Sequence, residues 1–438
     1  MIEGVKHPYQ DGDYVVLNLK SDTFGGSFLL DIDQFGIEKW NRILDTGATC
    51  TCMQQTKDSG FIVSGSKNSQ GLLIKTDRSG SVIGKKFYSI NNLITAFTKV
   101  RIIENGNLIV CGDASFFPTK AFVLKTDTLG NIIWQNFLIY GNNADAEDLT
   151  TDNDGNIYFT GGITVNNFIK TLYAKLNSNG EFIWYHSYGS EGNGDLQAGT
   201  SIVSESNEEL FLSGIYESNF SKKAHFTKID SSGKIIFQNI LQQTISANDM
   251  YRTVTGNYAT AGEGGSDSPD ILFTLLNTNG DILSRKLFNS FGDEAEYPSS
   301  IVETSDNGFL ITGTTTYEPV PFFGKENIYV IKTDSIGNAP VSIKNINNEI
   351  PLTFKLYQNY PNPFNPNTKI KFDLVKSGIV KIEIYDNCGK KISSLINEIK
   401  TIGTYEIDFD GSNLSSGVYY YKFITQNYSS TKKMLLMK

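Results

Sequence analysis

The sequence predicts an all-β protein: a seven-bladed β-propeller with four-stranded blades, followed by a small β-sandwich. Two observations predict the propeller. A glycine-containing turn recurs about every 50 residues, and short runs of Ile, Val, Phe, Leu and Tyr separate the turns. A third, the alternation of apolar and polar residues in several runs after residue 355, predicts the sandwich. We therefore assign residues 1–340 to the propeller, 341–354 to a linker and 355–438 to the sandwich.

The repeat unit is illustrated by KTDTLGNIIW at 125–134, where an acidic or amide residue and a glycine form a tight turn. Within 148–190 the pattern predicts four short strands, EDLTTD, NIYFTGG, TLYAKLN and EFIWYHSY. A single such sheet cannot bury both faces, so neighbouring sheets must stack, as in a propeller. The turn glycines of the seven copies are Gly36, Gly80, Gly130, Gly180, Gly233, Gly280 and Gly337.

Two side chains recur within the repeat. Large aromatic residues occupy one position in four copies, and we predict that they pack between blades rather than stack on ligands. These are Trp40, Trp134, Trp184 and Phe237. A lysine lies close to the turn acid in five copies, and we predict that it pairs with a neighbouring blade rather than with a ligand. These are Lys75, Lys125, Lys175, Lys228 and Lys332.

The repeat region lacks a recognisable catalytic set. His186 and His225 lie on predicted strands without a nucleophile in an identifiable partner position. The segment DNDGN at 152–156 alternates acids like a calcium loop but lacks the later glutamate, so we interpret it as a turn capped by an Asp side chain. We predict no catalytic residues and no metal site.

Four cysteines, Cys50, Cys52, Cys111 and Cys388, are interpreted as small core residues, and a bridge from Cys50 or Cys52 to Cys111 stays open. The unit resembles the tryptophan-docking repeat of quinoprotein dehydrogenases in the spacing from glycine to tryptophan. Those enzymes have adjacent cysteines, which this chain lacks. We therefore predict no quinone and no other cofactor.

Three loops interrupt the repeat, at 188–199, 263–270 and 316–327. Sites in propellers form where long loops converge, so these loops are the candidates for ligand contact. The last one places Tyr317, Phe322 and Phe323 among prolines, which suits a platform for a sugar or peptide. Packing of this loop onto the core is the alternative.

The overall composition limits the partners. The net charge of −9 and the pI of about 5.1 argue against nucleic-acid binding. No apolar run is long enough to span a membrane. The first residues, MIEGVKHPYQ, lack the features of a secretory signal peptide.

The C-terminal region resembles the type A C-terminal sorting domain of the type IX secretion system of the Bacteroidota. The resemblance rests on a proline-rich entry motif at 360–366, a hairpin near 389 and closing motifs in the expected order. The matching residues are Tyr360, Pro361, Asn362, Pro363, Phe364, Asn365, Pro366, Tyr385, Gly389, Gly417, Val418, Tyr419, Lys432 and Lys433. The prolines predict that the entry segment pairs with neither adjacent sheet.

The resemblance implies that the tail is a cleavable address recognised by the type IX secretion machinery. We therefore expect a protein that is released or held at the cell surface, with a signal peptide truncated or removed from this chain. As its activity we expect a propeller that binds a glycan or protein ligand. The alternative is an extracellular polysaccharide hydrolase or lyase with carboxylates at the propeller mouth.

Overall fold

The computed structural model forms two compact units, Met1–Val341 and Ser342–Lys438. It describes residues 3–6, 14–20, 26–33, 38–103, 105–115, 118–189, 196–204, 209–218, 221–241, 244–265, 269–288, 295–317, 325–339, 354–374, 378–400, 403–425 and 428–438. All the regular elements in these ranges are β-strands. The all-β class predicted from the sequence is therefore confirmed.

The first unit is a series of antiparallel sheets, each formed by strands that follow one another in the chain. We number them sheets 1 to 7. Sheets 1 to 3 are formed by β1 (Glu3–Lys6), β2 (Tyr14–Lys20), β3 (Gly26–Ile32) and β4 (Glu38–Thr46); β5 (Thr49–Gln55), β6 (Phe61–Lys67), β7 (Gln70–Thr76) and β8 (Val82–Tyr88); and β9 (Ile94–Ile102), β10 (Leu108–Ser115), β11 (Lys120–Thr126) and β12 (Ile132–Phe137).

The remaining sheets follow the same order, and a single parallel pair, Ile169 with Leu196, links sheets 4 and 5. Sheets 4 to 7 are formed by β13 (Asp148–Thr151), β14 (Ile157–Val165), β15 (Phe168–Leu176) and β16 (Phe182–Tyr188); β17 (Leu196–Ser204), β18 (Glu209–Ser218), β19 (Ser221–Asp230) and β20 (Ile235–Leu241); β21 (Asp249–Arg252), β22 (Tyr258–Gly264), β23 (Asp270–Leu276) and β24 (Ile282–Phe288); and β25 (Ala295–Glu303), β26 (Phe309–Tyr317) and β27 (Lys325–Thr333).

The recurring turns have the predicted chemistry. In the turn of sheet 3, the Asp127 carboxylate accepts hydrogen bonds from the backbone N–H groups of Leu129 and Asn131, at 2.9 and 2.7 Å. Gly130 has a φ of +78°, a conformation that costs glycine little. Asp152 accepts the same pair of bonds within DNDGN, from Asp154 and Asn156, so this segment is the predicted capped turn.

The recurring aromatic residues pack between sheets, as predicted. Trp134 of sheet 3 lies against Gly180 of sheet 4, so closely that a Cβ on that glycine would stand 2.6 Å from the indole ring. Trp40 contacts Gly80 in the same way, and Phe237 contacts Gly280. Because glycine has no side chain, each of these turns leaves room for an aromatic ring from the preceding sheet.

The prediction for the recurring lysines was only partly right. Lys75 and Lys332 form ion pairs with acids of their own sheets, Asp58 at 3.1 Å and Asp306 at 2.8 Å. Lys125, by contrast, donates to the Ser178 carbonyl of the next sheet at 3.5 Å. Lys228 makes both kinds of contact, an ion pair with Glu209 of its own sheet at 2.8 Å and a hydrogen bond to the Thr278 carbonyl of the next sheet at 3.5 Å. Lys175 lies 5.1 Å from the ring centroid of Tyr158 in its own sheet.

The first strands of the sheets lie next to one another. Each contacts the first strand of the following sheet, from β1 through β25, and β1 also contacts β25. A hydrophobic cluster joins sheet 1 to sheet 7 through Val16, Leu30, Ile32 and Leu310.

The second unit is built from two sheets around one apolar core. Its strands are β28 (Lys355–Leu356), β29 (Asn367–Leu374), β30 (Gly378–Tyr385), β31 (Lys391–Lys400), β32 (Gly403–Asp410), β33 (Gly417–Ile424) and β34 (Ser429–Leu436). A three-stranded sheet has the order β28-β29-β32, and a four-stranded sheet has the order β31-β30-β33-β34. Phe372, Ile382, Tyr421 and Met434 are fully buried in the core that the two sheets share.

The entry motif pairs with both sheets, so the prediction that it pairs with neither was wrong. Tyr360 exchanges two backbone hydrogen bonds with Lys369, each 3.0 Å long. Phe364 N–H donates to the Leu435 carbonyl at 2.9 Å and its own carbonyl accepts from Met437 at 3.0 Å. Proline removes only its own donor, so Tyr360, which precedes the prolines, and Phe364, which lies between two of them, keep theirs. The motif therefore covers the open edge of β34, which would otherwise expose unpaired backbone groups.

Candidate functional site

The first strands carry charged residues that meet across several sheets. Lys99 on β9 lies 3.6 Å from an oxygen of Asp148 on β13 and 4.0 Å from an oxygen of Asp249 on β21. Arg101 lies 3.6 Å from the same Asp148 oxygen. The Lys99 side chain of sheet 3 thus reaches acids of both sheet 4 and sheet 6.

The second oxygen of each aspartate holds the next first strand. Asp148 accepts hydrogen bonds from the Ser201 hydroxyl at 2.8 Å and from the Ile202 N–H at 2.9 Å. Asp249 accepts one from the Ile301 N–H at 3.0 Å. Burial raises the pKa of Asp249, and the nearby ammonium of Lys99 opposes that rise. Because Asp148 and Asp249 each accept hydrogen bonds from the following sheet, we interpret these two carboxylates as structural clasps that hold neighbouring sheets together.

The position just before these clasps has a second structural role in most sheets. Its side chain donates a hydrogen bond to a carbonyl of the following sheet: Thr51 to Phe97 at 2.8 Å, and Asn248 to Pro298 at 2.9 Å. Thr98 and Thr200 make the same contact with the Ala146 and Ala247 carbonyls.

Glu147 occupies this position in sheet 4, where the pattern places a donor. An ionised carboxylate has no proton to donate, so Glu147 cannot make the contact in that form. A departure from a repeated structural rule is where a functional residue is expected.

Glu147 lies among other acids. Burial raises its pKa to about 7, and the charges of Asp145, Asp113 and Asp148 add to the rise while Lys99 opposes it. The Glu147 side chain is exposed to solvent, while neighbouring protein atoms desolvate its carboxylate. Near neutral pH this carboxyl is divided between its protonated and ionised forms.

The two neighbouring acids are held by the backbone around them. Asp145 accepts a hydrogen bond from the Gly162 N–H at 2.6 Å, and its own N–H donates to the Gly162 carbonyl at 3.1 Å. Burial raises the pKa of Asp145 and that of Asp113, which follows Gly112 on β10. We call Asp113, Asp145 and Glu147 the acidic cluster. Its carboxyl groups can accept hydrogen bonds, attract a cation or exchange a proton.

Metal binding was not predicted, and in the described part of the chain no group of three or more His, Cys, Asp or Glu side chains could hold a metal ion.

The two described histidines have structural surroundings. His225 is fully buried, and burial lowers its pKa to about 4. Its ring nitrogens face the hydroxyls of Tyr188 at 3.2 Å and Thr171 at 3.4 Å. His186 packs on Trp184 with ring centroids 5.3 Å apart. Neither environment supplies a base beside an activated nucleophile.

The cysteines are free thiols, so the bridge left open in the sequence is not formed. Cys50, Cys52 and Cys111 are buried, as expected for small core residues, whereas Cys388 is exposed in a turn of the second unit.

The predicted ligand rim is only partly visible. Tyr317 ends β26, where its backbone pairs with Lys325. Phe322 and Phe323 lie outside the described residues, so their role as a rim stays a prediction. The sequence reasoning missed the acidic cluster. Its signal was available in an alignment of the repeats, where Glu147 falls in the column of Thr51, Thr98, Thr200 and Asn248.

The sorting-motif residues of the second unit fall into two sets. Phe364 is buried, and the Asn362 side-chain oxygen accepts from the Leu435 N–H at 2.9 Å, so these residues hold the entry motif in place. Gly389 adopts a φ of +79° in the hairpin turn. Tyr385, Val418 and Lys433 lie on strands of the four-stranded sheet, whereas Tyr360 is 81% exposed.

Comparison with known proteins identifies the second unit. Residues 358–437 match the family described as the secretion system C-terminal sorting domain. No curated protein matches the chain. The match supports the resemblance seen in the sequence and extends from the entry motif to the closing lysines.

Solved structures resemble the chain at low identity and therefore bear on fold alone. A polysaccharide lyase of family PL25, an ulvan lyase, has a TM-score of 0.51 at 9% identity, over 76% of this chain and 91% of the lyase. A puromycin hydrolase has a TM-score of 0.50 at 10% identity, over 83% of this chain and 57% of the hydrolase.

PorZ, a surface component of the type IX secretion system of Porphyromonas gingivalis, aligns over 98% of this chain and 68% of its own length at 10% identity. Its TM-score of 0.38 supports no argument about function.

The described residues contain no helix that is long and apolar enough to cross a membrane. Sorting domains of this family mark proteins that the type IX secretion system exports to the cell surface or the extracellular space. The chain thus combines a propeller-like all-β unit with a secretion system C-terminal sorting domain, and it is an exported protein.

Proposed function

We propose that residues 1–340 form a closed seven-bladed propeller that binds a ligand outside the cell, and that residues 355–438 serve as its export address. The contact of β1 with β25 and the apolar cluster between sheets 1 and 7 support closure of the ring. The split of the chain into two compact units supports separate roles for its two parts.

The acidic cluster is the proposed ligand contact. The observation that carries this assignment is Glu147, which replaces the donor that four other sheets use to hold their neighbour. Three neighbouring carboxyl groups, of which Glu147 is exposed to water, favour a ligand that donates hydrogen bonds or carries positive charge. A glycan rich in hydroxyl or amino groups and a basic peptide segment both fit this chemistry.

The test is a binding screen of the full chain against a glycan array and a set of basic and neutral peptides. Glu147→Gln should weaken the binding of any ligand found, because the amide has no charge and a different set of donors. Glu181→Gln removes a charge from an exposed turn of the same sheet and serves as the matched control. Equal binding by both variants would refute the assignment of the site.

A second candidate function is hydrolysis or elimination on a polysaccharide, and the pKa of Glu147 favours it. A carboxyl group with a pKa of about 7 beside other carboxyls has the properties of a general acid or base. The test is the appearance of new reducing ends or unsaturated products from each glycan that binds. Turnover that Glu147→Gln abolishes while binding persists would favour the enzyme over the pure binding protein.

A further inference from the structure

The charge of the chain is distributed unevenly between its parts. Residues 355–438 contain 12 lysines and seven acidic residues, a formal charge of +5. Residues 1–354 contain 26 basic and 40 acidic residues, a formal charge of −14. The export address is thus a basic module attached to an acidic protein, and the question is where its positive charge lies.

Much of this charge lies on one face of the four-stranded sheet. Val380, Ile382 and Ile384 of β30 are fully buried, as are Tyr421 and Phe423 of β33, so the alternate residues of these strands point outward. Backbone register then aligns one outward row across four strands. The row is Lys391, Tyr385, Tyr420 and Lys433.

The next rows of the same face add further positive charge. Glu383 is paired with Lys422 in register, and Lys381 with Ile424. The only acid among these aligned residues of β30 and β33 is Glu383, which contacts the Lys391 ammonium and accepts a hydrogen bond from the Tyr385 hydroxyl at 2.6 Å. Lys381, Lys422 and Lys433 therefore outnumber the acids on what we call the basic face.

The basic face also presents apolar surface. Ile379 and Met437 are 55% and 54% exposed on the same side of the sheet, and Tyr385 and Tyr420 are half-buried. The aromatic rings supply a rigid contact area, and the lysines around them supply long-range attraction for an acidic partner. Lys432 alternates with Lys433 and falls on the other side of β34, so the two closing lysines do not act together.

We propose that the basic face is the surface by which the sorting domain docks on an acidic protein surface of the export machinery. The inference rests on the address role proposed for residues 355–438 and assigns that role to one side of the domain. The entry motif then has a different task, because Asn362 and Phe364 close the edge of β34 and hold the sheet that presents the face. Complementary charge would speed the encounter and fix the orientation of docking.

The test is export of the full chain in its bacterial host, measured as the fraction accessible to protease on intact cells or released into the medium. The variant Lys422→Glu/Lys433→Glu reverses two charges on the basic face. We expect its exported fraction to fall at least about tenfold, with accumulation in the periplasm, because like charges would then face one another. A milder variant, Lys422→Gln/Lys433→Gln, should show a smaller loss.

The matched control is Lys369→Glu/Lys371→Glu, which makes the same charge change on the outer side of the three-stranded sheet. Lys369 pairs with Glu406 at 3.2 Å and Lys371 lies 5.3 Å from the ring of Tyr357, so the control disturbs at least as many contacts. Thermal unfolding of each purified chain shows whether its second unit is folded. If the glutamate variant is unfolded, the glutamine variant decides.

Normal export of a folded basic-face variant would overturn the proposal, and so would an equal loss in the control. Export with loss only of retention at the cell surface would also overturn it, because the face would then bind an anionic surface component rather than the machinery. Deletion of residues 355–438 separates this failure from a wider one. If the deleted chain is still exported, the address role itself is wrong; if it is retained, only the assignment of the face has failed.

Discussion

The contact between Trp134 and Gly180 offers a direct measurement of how the sheets hold one another. Gly180 has a φ of +85°, and a Cβ at this position would lie 2.6, 2.7 and 2.8 Å from three atoms of the Trp134 ring. Gly180→Ala therefore combines two costs, an unfavourable backbone conformation and an overlap with the ring. The second cost is the one that reports on packing between sheets 3 and 4.

Gly155 provides the reference for the first cost. It lies in another turn of sheet 4 with a φ of +77°, and its added Cβ would meet only the Ser178 Cβ, at 3.6 Å. Gly155→Ala should destabilise the protein by about 1–2 kcal/mol, the cost of a left-handed conformation for an L residue. Gly180→Ala should add about 1–3 kcal/mol for overpacking, because the ring can move only by disturbing its neighbours.

The assay is urea unfolding of the first unit, followed by circular dichroism, with midpoints compared at equal slopes. A double-mutant cycle with Trp134→Ala isolates the contact, since removal of the ring should remove the added cost but leave the conformational cost. Equal destabilisation by the two alanine variants, or a cycle without coupling, would refute the reasoning that these rings dock on the turns of the next sheet.

Three further predictions follow from buried or titrating groups. Phe364→Ala should lower the free energy of unfolding of the second unit by about 3–5 kcal/mol, which is comparable to the whole stability of a small domain. Limited proteolysis of this variant should then degrade the second unit and spare the first. A protease-resistant second unit would contradict the prediction. In the folded protein the pKa of Glu147 is about 7, against an ordinary value of 4.5, so between these pH values the folded state binds more protons than the unfolded state. The free energy of unfolding should therefore fall as the pH rises from 4.5 to 7. Glu147→Gln should flatten that part of the curve of unfolding midpoint against pH, and an unchanged curve would count against the raised pKa. A thiol reagent should label only Cys388 in the native chain, because the other three thiols are buried. Burial also raises the pKa of Cys50 to about 11 and that of Cys111 to about 12, which disfavours the reactive thiolate. Labelling of a second thiol would contradict this burial.

Local patterns in the sequence were sufficient for the strands and turns. The four strands predicted within 148–190 are β13 to β16, and the glycines placed in turns, such as Gly130 and Gly233, adopt positive φ angles. The recurring aromatics were assigned correctly for a related reason. A residue that recurs at one position of the repeat has equivalent neighbours in each copy, so its regular spacing in the sequence predicts how it packs.

The entry motif shows where local reasoning fails. Three prolines within 360–366 predicted a segment that pairs with neither sheet, yet Phe364 pairs with Leu436, 72 residues later in the chain. The local rule states which donors are missing but not which remaining groups meet a partner. That choice depends on the edge of β34, which exists only after the sandwich has formed.

By itself, the sequence determined the all-β class, the repeat, the turn chemistry and the resemblance of the tail to a sorting domain, because each is encoded within a short stretch or by a fixed period. Only the tertiary structure brought Asp113 close to Asp145 and Glu147 and aligned Tyr385 with Tyr420 and Lys433. It also decided that the thiols of Cys50, Cys52 and Cys111 are buried and free. These arrangements join residues that are far apart in the chain. Their pKa values and surface charge follow from desolvation and from distances between side chains, which no local pattern specifies.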